Sequence, residues 1–316
     1  MIRIIALFLI TLTLSPPLAM AQEKTAEDYF LEGYEHYKDG AVFDAIQDFD
    51  KAIELDPDLV GAYILRGMAN ADLNHFLETI QDYDKAIALD PNNSFAYYNR
   101  GNARAAIGQY LDAVKDFDKA IALDPYESAL YYNRGNAKYN FGQYLDAVKD
   151  FDKAIALDPE DSSAYNARGS ANYDLGQYFN AIKDFDKAIS LEPNNIFAYN
   201  NRGLAKFDLG QHFGAIQDYD KAITLEPNEA QAYNGRGNVK SELGQHFDAI
   251  QDYDKAITLD PDNAFAYYNR GNSKYNLGQY FDAIQDYEKA IVLHPNFSEA
   301  RENRDIARRT LRQSGQ

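Results

Sequence analysis

The sequence predicts an all-α protein built from stacked pairs of helices. The first observation is a fixed period, because eight prolines recur at a constant interval of 34 residues: Pro57, Pro91, Pro125, Pro159, Pro193, Pro227, Pro261 and Pro295. A constant period of roughly 20–50 residues is typical of an array of repeats that stack on one another. The second observation is that the copies are alike, since GQYLDAVKDFDKAIALDP occurs at 108–125 and again at 142–159.

Each copy contains two segments with helical patterning. The first segment ends at a glycine such as Gly278, a residue that commonly terminates helices. The second carries apolar residues at helical spacing, as in Ala113, Val114, Phe117, Ala120 and Ile121. It ends at the recurring proline, which cannot continue a helix. The pattern therefore predicts a helix A and a helix B in every copy.

The repeat resembles the tetratricopeptide repeat (TPR) family, which has a 34-residue period and a characteristic set of small and aromatic positions. In the copy that begins at Ser94, the matching residues are Tyr97, Gly101, Ala113, Phe117, Ala120 and Pro125. In this frame residues 22–297 hold eight repeats, which begin at Ala26, Val60, Ser94, Ser128, Ser162, Ile196, Ala230 and Ala264. The resemblance implies a right-handed superhelical solenoid of antiparallel helix pairs. Two positions depart from the family pattern, with arginine at position 7 and frequent lysine or arginine at position 11.

The two ends of the chain lie outside the array. Residues 1–21 hold Arg3, an apolar run from Ile4 to Leu14 and the cleavage motif Ala19-Met20-Ala21, which together predict a signal peptide cleaved before Gln22. A membrane anchor is the alternative, but the apolar run is too short to span a bilayer. Residues 298–316 predict a capping helix and tail, whose arginines have an alternative interpretation as a docking patch.

The predicted signal peptide and the absence of cysteine both indicate in which compartment the protein is found. An exported protein without disulfides must be held together by packing alone, which an uninterrupted repeat array achieves by burying each neighbour's apolar face. The C-terminal QSGQ carries no endoplasmic-reticulum retention signal. We therefore expect a protein of the bacterial periplasm or a secreted protein, without membrane insertion after cleavage.

Composition argues against several classes of function. The formal net charge is −18, which disfavours nucleic acid as a partner. The glycines follow the repeat and form no phosphate-binding loop, and the five histidines show no metal-binding spacing. Because each acidic residue has equivalents in other repeats, no unique catalytic carboxylate pair stands out. The sequence predicts a protein that is not an enzyme and that needs no cofactor or metal.

Arginine at position 7 and aspartate at position 23 recur on faces predicted to be half-buried, and opposite charges in such surroundings are expected to pair. Pairing within a repeat would place Asp48 opposite Glu32, two like charges. We therefore predict inter-repeat pairs that join each aspartate to the next arginine: Asp48–Arg66, Asp82–Arg100, Asp116–Arg134, Asp150–Arg168, Asp184–Arg202, Asp218–Arg236, Asp252–Arg270 and Asp286–Arg304. Contacts within a repeat would add to these pairs and make a ladder. Competition from the position-11 cations and solvated surface charges are the alternatives.

The TPR resemblance implies that positions 2, 5, 6, 9, 12 and 13 of helix A line a concave groove. Asparagine can donate to and accept from a peptide main chain, and tyrosine supplies contact area at low entropic cost. The alternative is that these tyrosines pack between repeats and that the asparagines only cap helices or bind water. Ala167 and Gly235 interrupt the asparagine series. The candidate groove residues are Tyr98, Asn99, Asn102, Tyr132, Asn133, Asn136, Tyr139, Tyr173, Asn201, Asn238, Tyr268, Asn269 and Asn272.

These observations favour a non-enzymatic scaffold for protein–protein interaction that is exported from the cytosol. It would bind an extended peptide or a partner protein in its concave groove. The alternative is a structural component of a bacterial envelope or secretion assembly that uses its convex face or its ends.

Overall fold

The computed structural model describes residues 23–314, which form two compact units that meet between Pro91 and Asn92 in the sequence. The predicted signal peptide at residues 1–21 lies outside the described residues. Within residues 23–314 the chain forms seventeen helices and no strand, which confirms the all-α prediction. No helix in this range is both long enough and apolar enough to cross a membrane.

The first unit contains two helix pairs. They are α1 (Ala26–Lys38) with α2 (Val42–Leu55), and α3 (Val60–Asp72) with α4 (Phe76–Leu89). The two helices of each pair pack on each other, and α2 also packs on α3.

The second unit continues the pattern with six further pairs and a final helix. The pairs are α5 (Ser94–Ala106) with α6 (Tyr110–Leu123), α7 (Ser128–Asn140) with α8 (Tyr144–Leu157), α9 (Ser162–Asp174) with α10 (Tyr178–Leu191), α11 (Ile196–Asp208) with α12 (His212–Leu225), α13 (Ala230–Glu242) with α14 (His246–Leu259), and α15 (Ala264–Asn276) with α16 (Tyr280–Leu293). The final helix is α17 (Ser298–Ser314). Each helix packs on the next along the chain, so that consecutive pairs stack.

Local chemistry explains where the helices begin and end. Gly142 follows α7 with φ of 84°, a left-handed conformation that glycine adopts without strain, and its N–H donates to the carbonyl of Tyr139. Asn93, Asn195 and Asn263 precede helices, and their side chains accept a hydrogen bond from a first-turn amide. Turn chemistry of this kind, repeated along the chain, gives A helices of 13 residues and B helices of 14 residues.

The core lies between the two helices of each pair and between neighbouring pairs. Ala113, Phe117 and Ala120 of α6 are completely buried. Glycine at position 8 lets helix A approach the aromatic ring at position 24, because a Cβ added to Gly135 would lie 2.7 Å from Cε1 of Phe151. The small and aromatic positions of the repeat therefore set the distance between its two helices.

Each arginine at position 7 binds the aspartate at position 23 of its own repeat. Nε and Nη2 of Arg134 donate to the two carboxylate oxygens of Asp150, at 2.9 and 2.5 Å. The same bonds occur in the pairs Arg66–Asp82, Arg100–Asp116, Arg168–Asp184, Arg202–Asp218, Arg236–Asp252 and Arg270–Asp286. The predicted partners are therefore wrong: Asp82 and its equivalents through Asp286 bind their own repeat's arginine. The planar guanidinium faces this aspartate directly across the helix pair and binds it in a bidentate manner.

The arginine nevertheless joins neighbouring repeats, through its remaining nitrogen. Nη1 of Arg134 donates to Asp118, the position-25 residue of the preceding repeat, at 2.6 Å. The equivalent bonds are 2.5–2.6 Å long in Arg66–Asp50, Arg168–Asp152, Arg202–Asp186, Arg236–Asp220 and Arg270–Asp254. Position 25 lies away from the buried stripe, as the helical spacing indicates, but the long arginine side chain reaches it. The sequence analysis did not predict this contact, although an acidic residue occupies position 25 in all eight repeats.

The position-11 residue supplies a further donor to the same position-23 carboxylate. Lys138 binds Asp150 at 2.8 Å, and the same contact occurs in Arg104–Asp116, Lys206–Asp218, Lys240–Asp252 and Lys274–Asp286. Asn70 and Asn172 donate to Asp82 and Asp184 in their place. The position-11 cations, considered above as competitors, thus bind the same carboxylates, but they share each aspartate with the arginine and do not replace it.

The two ends of the array depart from the predicted pairing. In the first repeat, where Glu32 occupies position 7, Asp48 contacts Nδ1 of His36 at 2.6 Å and not Arg66. At the other end, Asp286 is held by Arg270 and Lys274, and Arg304 bonds Asp305 instead. The predicted pairs Asp48–Arg66 and Asp286–Arg304 are therefore wrong, because a donor of the same repeat lies closer in each case.

Charge and burial set the titration of these groups. Burial disfavours the charged form of Arg134, but its hydrogen bonds to Asp150 and Asp118 outweigh that effect and raise the pKa of the arginine. Burial raises the pKa of Asp82, while its hydrogen bonds from Arg66 and Asn70 oppose the shift. The hydrogen bond to Asp48 raises the pKa of His36. The guanidinium groups also stack on the position-4 tyrosines, as Arg134 does 5.5 Å above the ring of Tyr131.

Helix α17 packs on α16 as a cap. Ala300 and Ala307 are completely buried, and Ala307 lies in one cluster with Ala283 and Tyr287 of the last pair. Arg308 binds Glu288, the position-25 acid of the last repeat, at 2.5 Å. Apolar contact and this ion pair therefore hold the cap.

Candidate functional site

Candidate groove residues of the A helices line three clefts in the second unit. Of the candidate residues, Tyr132, Asn136 and Tyr139 line a cleft of about 360 Å³. Tyr139 also lines a neighbouring cleft of about 220 Å³ with Tyr173 and Asn201. Asn272 lines the third, of about 330 Å³, beside α17. The predicted residues thus contribute to separate clefts in which their polar groups differ in availability.

The tyrosines at position 12 donate their hydroxyls to the next repeat. Tyr139 donates to Asp174 at 2.5 Å, and Tyr173 donates likewise to Asp208. In the first unit Tyr37 donates to Asp72 at 2.6 Å, and burial together with this hydrogen bond raises the pKa of Tyr37 to about 12. Burial and the bond to Asp174 raise the pKa of Tyr139 as well. These hydroxyls are therefore occupied, and their rings form the walls of the clefts.

The asparagines at position 6 bond mostly to the preceding repeat. Asn133 donates to the hydroxyl of Tyr98 at 2.9 Å, and Asn269 donates to Oδ1 of Asn238 at 2.9 Å. Asn201 makes a longer contact of 3.4 Å with Asn166. Asn99 donates to the main-chain carbonyl of Phe95 in its own helix at 2.8 Å. Much of the asparagine series therefore connects repeats within the protein.

The asparagines at position 9 divide into two groups according to the aromatic residue at position 24. The hydroxyl of Tyr253 donates to Oδ1 of Asn238, and the hydroxyl of Tyr287 donates to Oδ1 of Asn272, each at 2.9 Å. Phe117 and Phe151 occupy position 24 in the repeats of Asn102 and Asn136. Within the described part of the chain, no hydrogen bond is made by the side chains of Asn102 and Asn136.

The first interruption of the asparagine series lies at the largest of these three clefts. Ala167 occupies position 6 there, so no asparagine donates to Tyr132 or to Asn136, and the Tyr132 hydroxyl has no hydrogen-bond partner among residues 23–314. The cleft has no charged side chain in its lining, which consists of Tyr132, Asn136, Tyr139, Asn140, Phe151, Ser163, Asn166, Ala167, Ser170, Asn195 and Phe197. We name it the Asn136 cleft.

The second interruption, at Gly235, is filled. A Cβ added to Gly235 would lie 2.4 Å from Cζ of Tyr219, so the ring of Tyr219 occupies the space of the missing side chain. Helices α11 and α13 contact each other here, and Asn200 is buried with neither side-chain polar atom hydrogen-bonded in the described structure. The two interruptions therefore have opposite consequences, since one opens a cleft and the other closes the face.

Sequence reasoning missed several residues of the Asn136 cleft, above all Phe151. A signal was present, because position 24 is phenylalanine in four repeats and tyrosine in the other four: Phe49, Phe117, Phe151 and Phe185 against Tyr83, Tyr219, Tyr253 and Tyr287.

The described residues hold no group of three or more His, Asp or Glu that could bind a metal ion.

Comparison with known families agrees with the repeat geometry. A family model described as "TPR repeat" matches residues 135–176, 169–210, 204–244 and 237–278, and "Tetratricopeptide repeat" models match residues 60–93, 82–115 and 264–297. The chain belongs to the tetratricopeptide repeat family. No curated protein matches this TPR chain.

Solved structures share the fold of this TPR protein. A tetratricopeptide repeat protein from Parabacteroides merdae ATCC 43184 is 20% identical with a TM-score of 0.66, and the match covers 78% of this chain and 98% of that one. The Cut9–Hcn1 hetero-tetramer of the APC/C is 17% identical with a TM-score of 0.64, over 84% of this chain, which spans only 52% of that neighbour. YrrB, described as a TPR protein with an unusual peptide-binding site, is 26% identical with a TM-score of 0.51, over 58% of this chain and 95% of its own.

Proposed function

We propose that this TPR protein is a non-enzymatic scaffold that binds an extended peptide segment of a partner protein on the helix-A face of its second unit. The observation that carries the proposal is the Asn136 cleft, whose polar groups are neutral and whose walls are aromatic. Pockets that bind ligands commonly combine apolar walls with a few polar groups that fix orientation. The likeness to YrrB, whose description includes a peptide-binding site, supports the same function.

The proposal includes export from the cytosol, to a bacterial periplasm or to the exterior. It rests on the signal-peptide pattern of residues 1–21 and on a fold that needs no disulfide. Expression in a bacterium, cell fractionation and N-terminal sequencing test it. We expect a periplasmic or secreted product that begins at Gln22, and a cytosolic product that retains Met1 would contradict export.

Display selection tests the binding function. The protein without residues 1–21 is used to select from a random peptide library, and the enriched peptides are mapped by hydrogen exchange. We expect peptides of micromolar or better affinity that protect amides of α7 and α9. A selection that enriches no peptide above the background of an unrelated helical protein would contradict peptide binding.

One observation favours the second candidate, a structural component of an assembly. The residue at position 18, the second of helix B, is a large apolar side chain in every repeat, with exposures of 49–76%: Phe43, Leu77, Leu111, Leu145, Phe179, Phe213, Phe247 and Phe281. Exposed apolar residues that recur on one face are typical of interaction surfaces. Protection at the start of α10 and α12, without protection of α7 and α9, would favour this candidate.

A further inference from the structure

We propose that the residues at position 24 and at position 6 of the next repeat determine which repeats of the second unit accept a peptide, and that the Asn136 cleft is the one of these that both leave open. This inference rests on the proposed peptide-binding function and deepens it. It assigns the recognition of one peptide unit to Asn136 and Tyr132, and it assigns an adjacent apolar side chain of the peptide to the aromatic walls.

Two repeats show the closed arrangement. Oδ1 of Asn272 accepts from the Tyr287 hydroxyl at 2.9 Å and from Nδ2 of Asn303 at 2.9 Å. Oδ1 of Asn238 accepts in the same way from Tyr253 and from Asn269. Because both acceptor sites of the amide oxygen are occupied, a peptide N–H could bind it only by displacing a hydrogen bond that the protein already makes.

The Asn136 cleft differs from these repeats by two chemical groups. Phe151 lacks the hydroxyl that Tyr287 carries, and Ala167 lacks the amide that Asn303 carries. The rings themselves are placed alike, since the centroids of Tyr132 and Phe151 are 6.0 Å apart and those of Tyr268 and Tyr287 are also 6.0 Å apart. The availability of the Asn136 amide therefore follows from a missing oxygen and a missing amide, with the aromatic packing unchanged.

The remaining repeats of the second unit satisfy at most one of the two conditions. The repeat of Asn102 has Phe117 at position 24, but Asn133 follows at position 6 and bonds Tyr98. The repeat of Phe185 has Ser170 at position 9, and that hydroxyl donates to the carbonyl of Asn166 at 3.1 Å. The repeat of Tyr219 has Leu204 at position 9 and has no amide to offer. Within the second unit both conditions hold together only around Asn136. In the first unit Phe49 and Leu65 also meet them, but Tyr34 occupies position 9 there and offers no amide.

The lining of the cleft specifies the chemistry of the ligand. Asn136 offers one acceptor and two donors, and Tyr132 offers a hydroxyl, which together match the N–H and C=O of a peptide unit. Phe151, Tyr139 and Phe197 provide apolar wall, and no charged side chain lines the site. A charged ligand side chain would be desolvated there without a partner, which is costly. We therefore assign an uncharged, extended peptide segment with an aliphatic or aromatic side chain.

The test uses peptides selected on the unmodified protein from a random peptide library, labelled with fluorescein, and measures their affinity for single variants. Phe151→Tyr adds the hydroxyl seen in Tyr287, and Ala167→Asn adds the amide seen in Asn303. We expect each variant to bind the peptides at least about tenfold more weakly, since the peptide must displace a formed hydrogen bond. The matched control, Phe185→Tyr, makes the same chemical change one repeat further along, and its affinity should stay within about twofold.

The unfolding midpoints of the variants and the class of molecule that binds distinguish the possible outcomes. Phe151→Tyr and Ala167→Asn, which we call the closing variants, copy residues that occur naturally in the last two repeats. We therefore expect their unfolding midpoints to be unchanged or higher. If Phe151→Tyr does not fold, Ala167→Asn serves alone. Unchanged affinity in a folded closing variant would overturn this inference while leaving peptide binding intact. Failure to select any peptide, or binding of a maltose oligosaccharide in preference to peptides, would overturn the proposed function as well.

Discussion

Asp150 receives two hydrogen bonds from Arg134 inside one repeat, at 2.9 Å from Nε and 2.5 Å from Nη2. The same arginine uses Nη1 to reach Asp118 of the preceding repeat. One guanidinium thus fixes the two helices of its own repeat and connects that repeat to its neighbour. The buried aspartate and the half-exposed aspartate perform different tasks, and their contributions to stability should differ.

We expect Asp116→Asn to destabilise the protein far more than Asp118→Asn, although both remove one charge next to an arginine. The side chain of Asp116 is 3% exposed and binds Arg100 and Arg104, so its loss leaves buried cations without their carboxylate, at a cost of roughly 3–5 kcal/mol. The side chain of Asp118 is 54% exposed, where such pairs contribute about 0–1 kcal/mol. Denaturant unfolding midpoints measure the difference, and equal shifts would contradict the role assigned to the buried pair.

The stability of the first unit should depend on pH through His36. The hydrogen bond to Asp48 raises the pKa of His36 in the folded protein, and Asp44 and Glu32 act in the same direction. A raised folded pKa means that the stabilisation is fully present below the ordinary histidine pKa of about 6.5 and is lost as the pH rises through the folded value. Thermal midpoints between about pH 5 and pH 9 should show this loss.

The variant His36→Asn is the matched control for that titration. Asn70 and Asn172 occupy position 11 in other repeats and donate to their aspartates at 3.1 and 2.9 Å, so asparagine can keep the hydrogen bond without titrating. The difference in midpoint between the unmodified protein and this variant should favour the histidine at low pH and shrink as the pH rises. A difference that is constant across the range would show that His36 does not titrate against Asp48.

Restoring asparagine at the two interruptions should have opposite effects on stability. At Gly235 the new side chain meets the ring of Tyr219, 2.4 Å from the added Cβ, and overpacking of this kind costs about 1–3 kcal/mol. At Ala167 the new side chain enters an open cleft beside Tyr132 and Asn136. We expect Gly235→Asn to lower the unfolding midpoint and Ala167→Asn to leave it unchanged or raise it. A stable Gly235→Asn protein would show that this region is not closed by Tyr219.

Removal of residues 298–316 should expose the last helix pair. Ala307 covers Ala283 and Tyr287, and Arg308 binds Glu288, so the deletion removes both apolar cover and an ion pair. We expect faster amide exchange in α16 and concentration-dependent association in light scattering. If exchange of residues 286–290 is the same with and without the tail, α17 is not a cap, and a docking role for its arginines gains support.

The repeat frame, the helix pairs and the glycine-ended turns were predictable from the sequence because they depend on local chemistry that recurs every 34 residues. The pairing of charges was not, because choosing between Asp150 and Asp116 as the partner of Arg134 requires the distance across the helix pair. Counting residues favoured the wrong aspartate, and the half-exposed Asp118 was missed because helical spacing places it outside the core.

The site was only partly predictable for a related reason. Sequence reasoning named Tyr132 and Asn136 as members of a series, but it treated all asparagines of the series as equivalent. Their difference depends on the amide at position 6 of the next repeat, which Asn303 has and Ala167 lacks. It also depends on one oxygen atom at position 24, which Tyr287 has and Phe151 lacks, on the other helix of the pair. Only the packing of helix A on helix B brings that residue next to the asparagine it controls.

A crystal structure of the protein with a selected peptide tests the central claim most directly. The account predicts an extended peptide along α7 and α9, with a main-chain amide about 2.7–3.2 Å from the Asn136 side chain and an apolar side chain against Phe151. A peptide bound at Asn238 and Asn272, or along Phe179 and Phe213, with the Asn136 cleft empty, would contradict it.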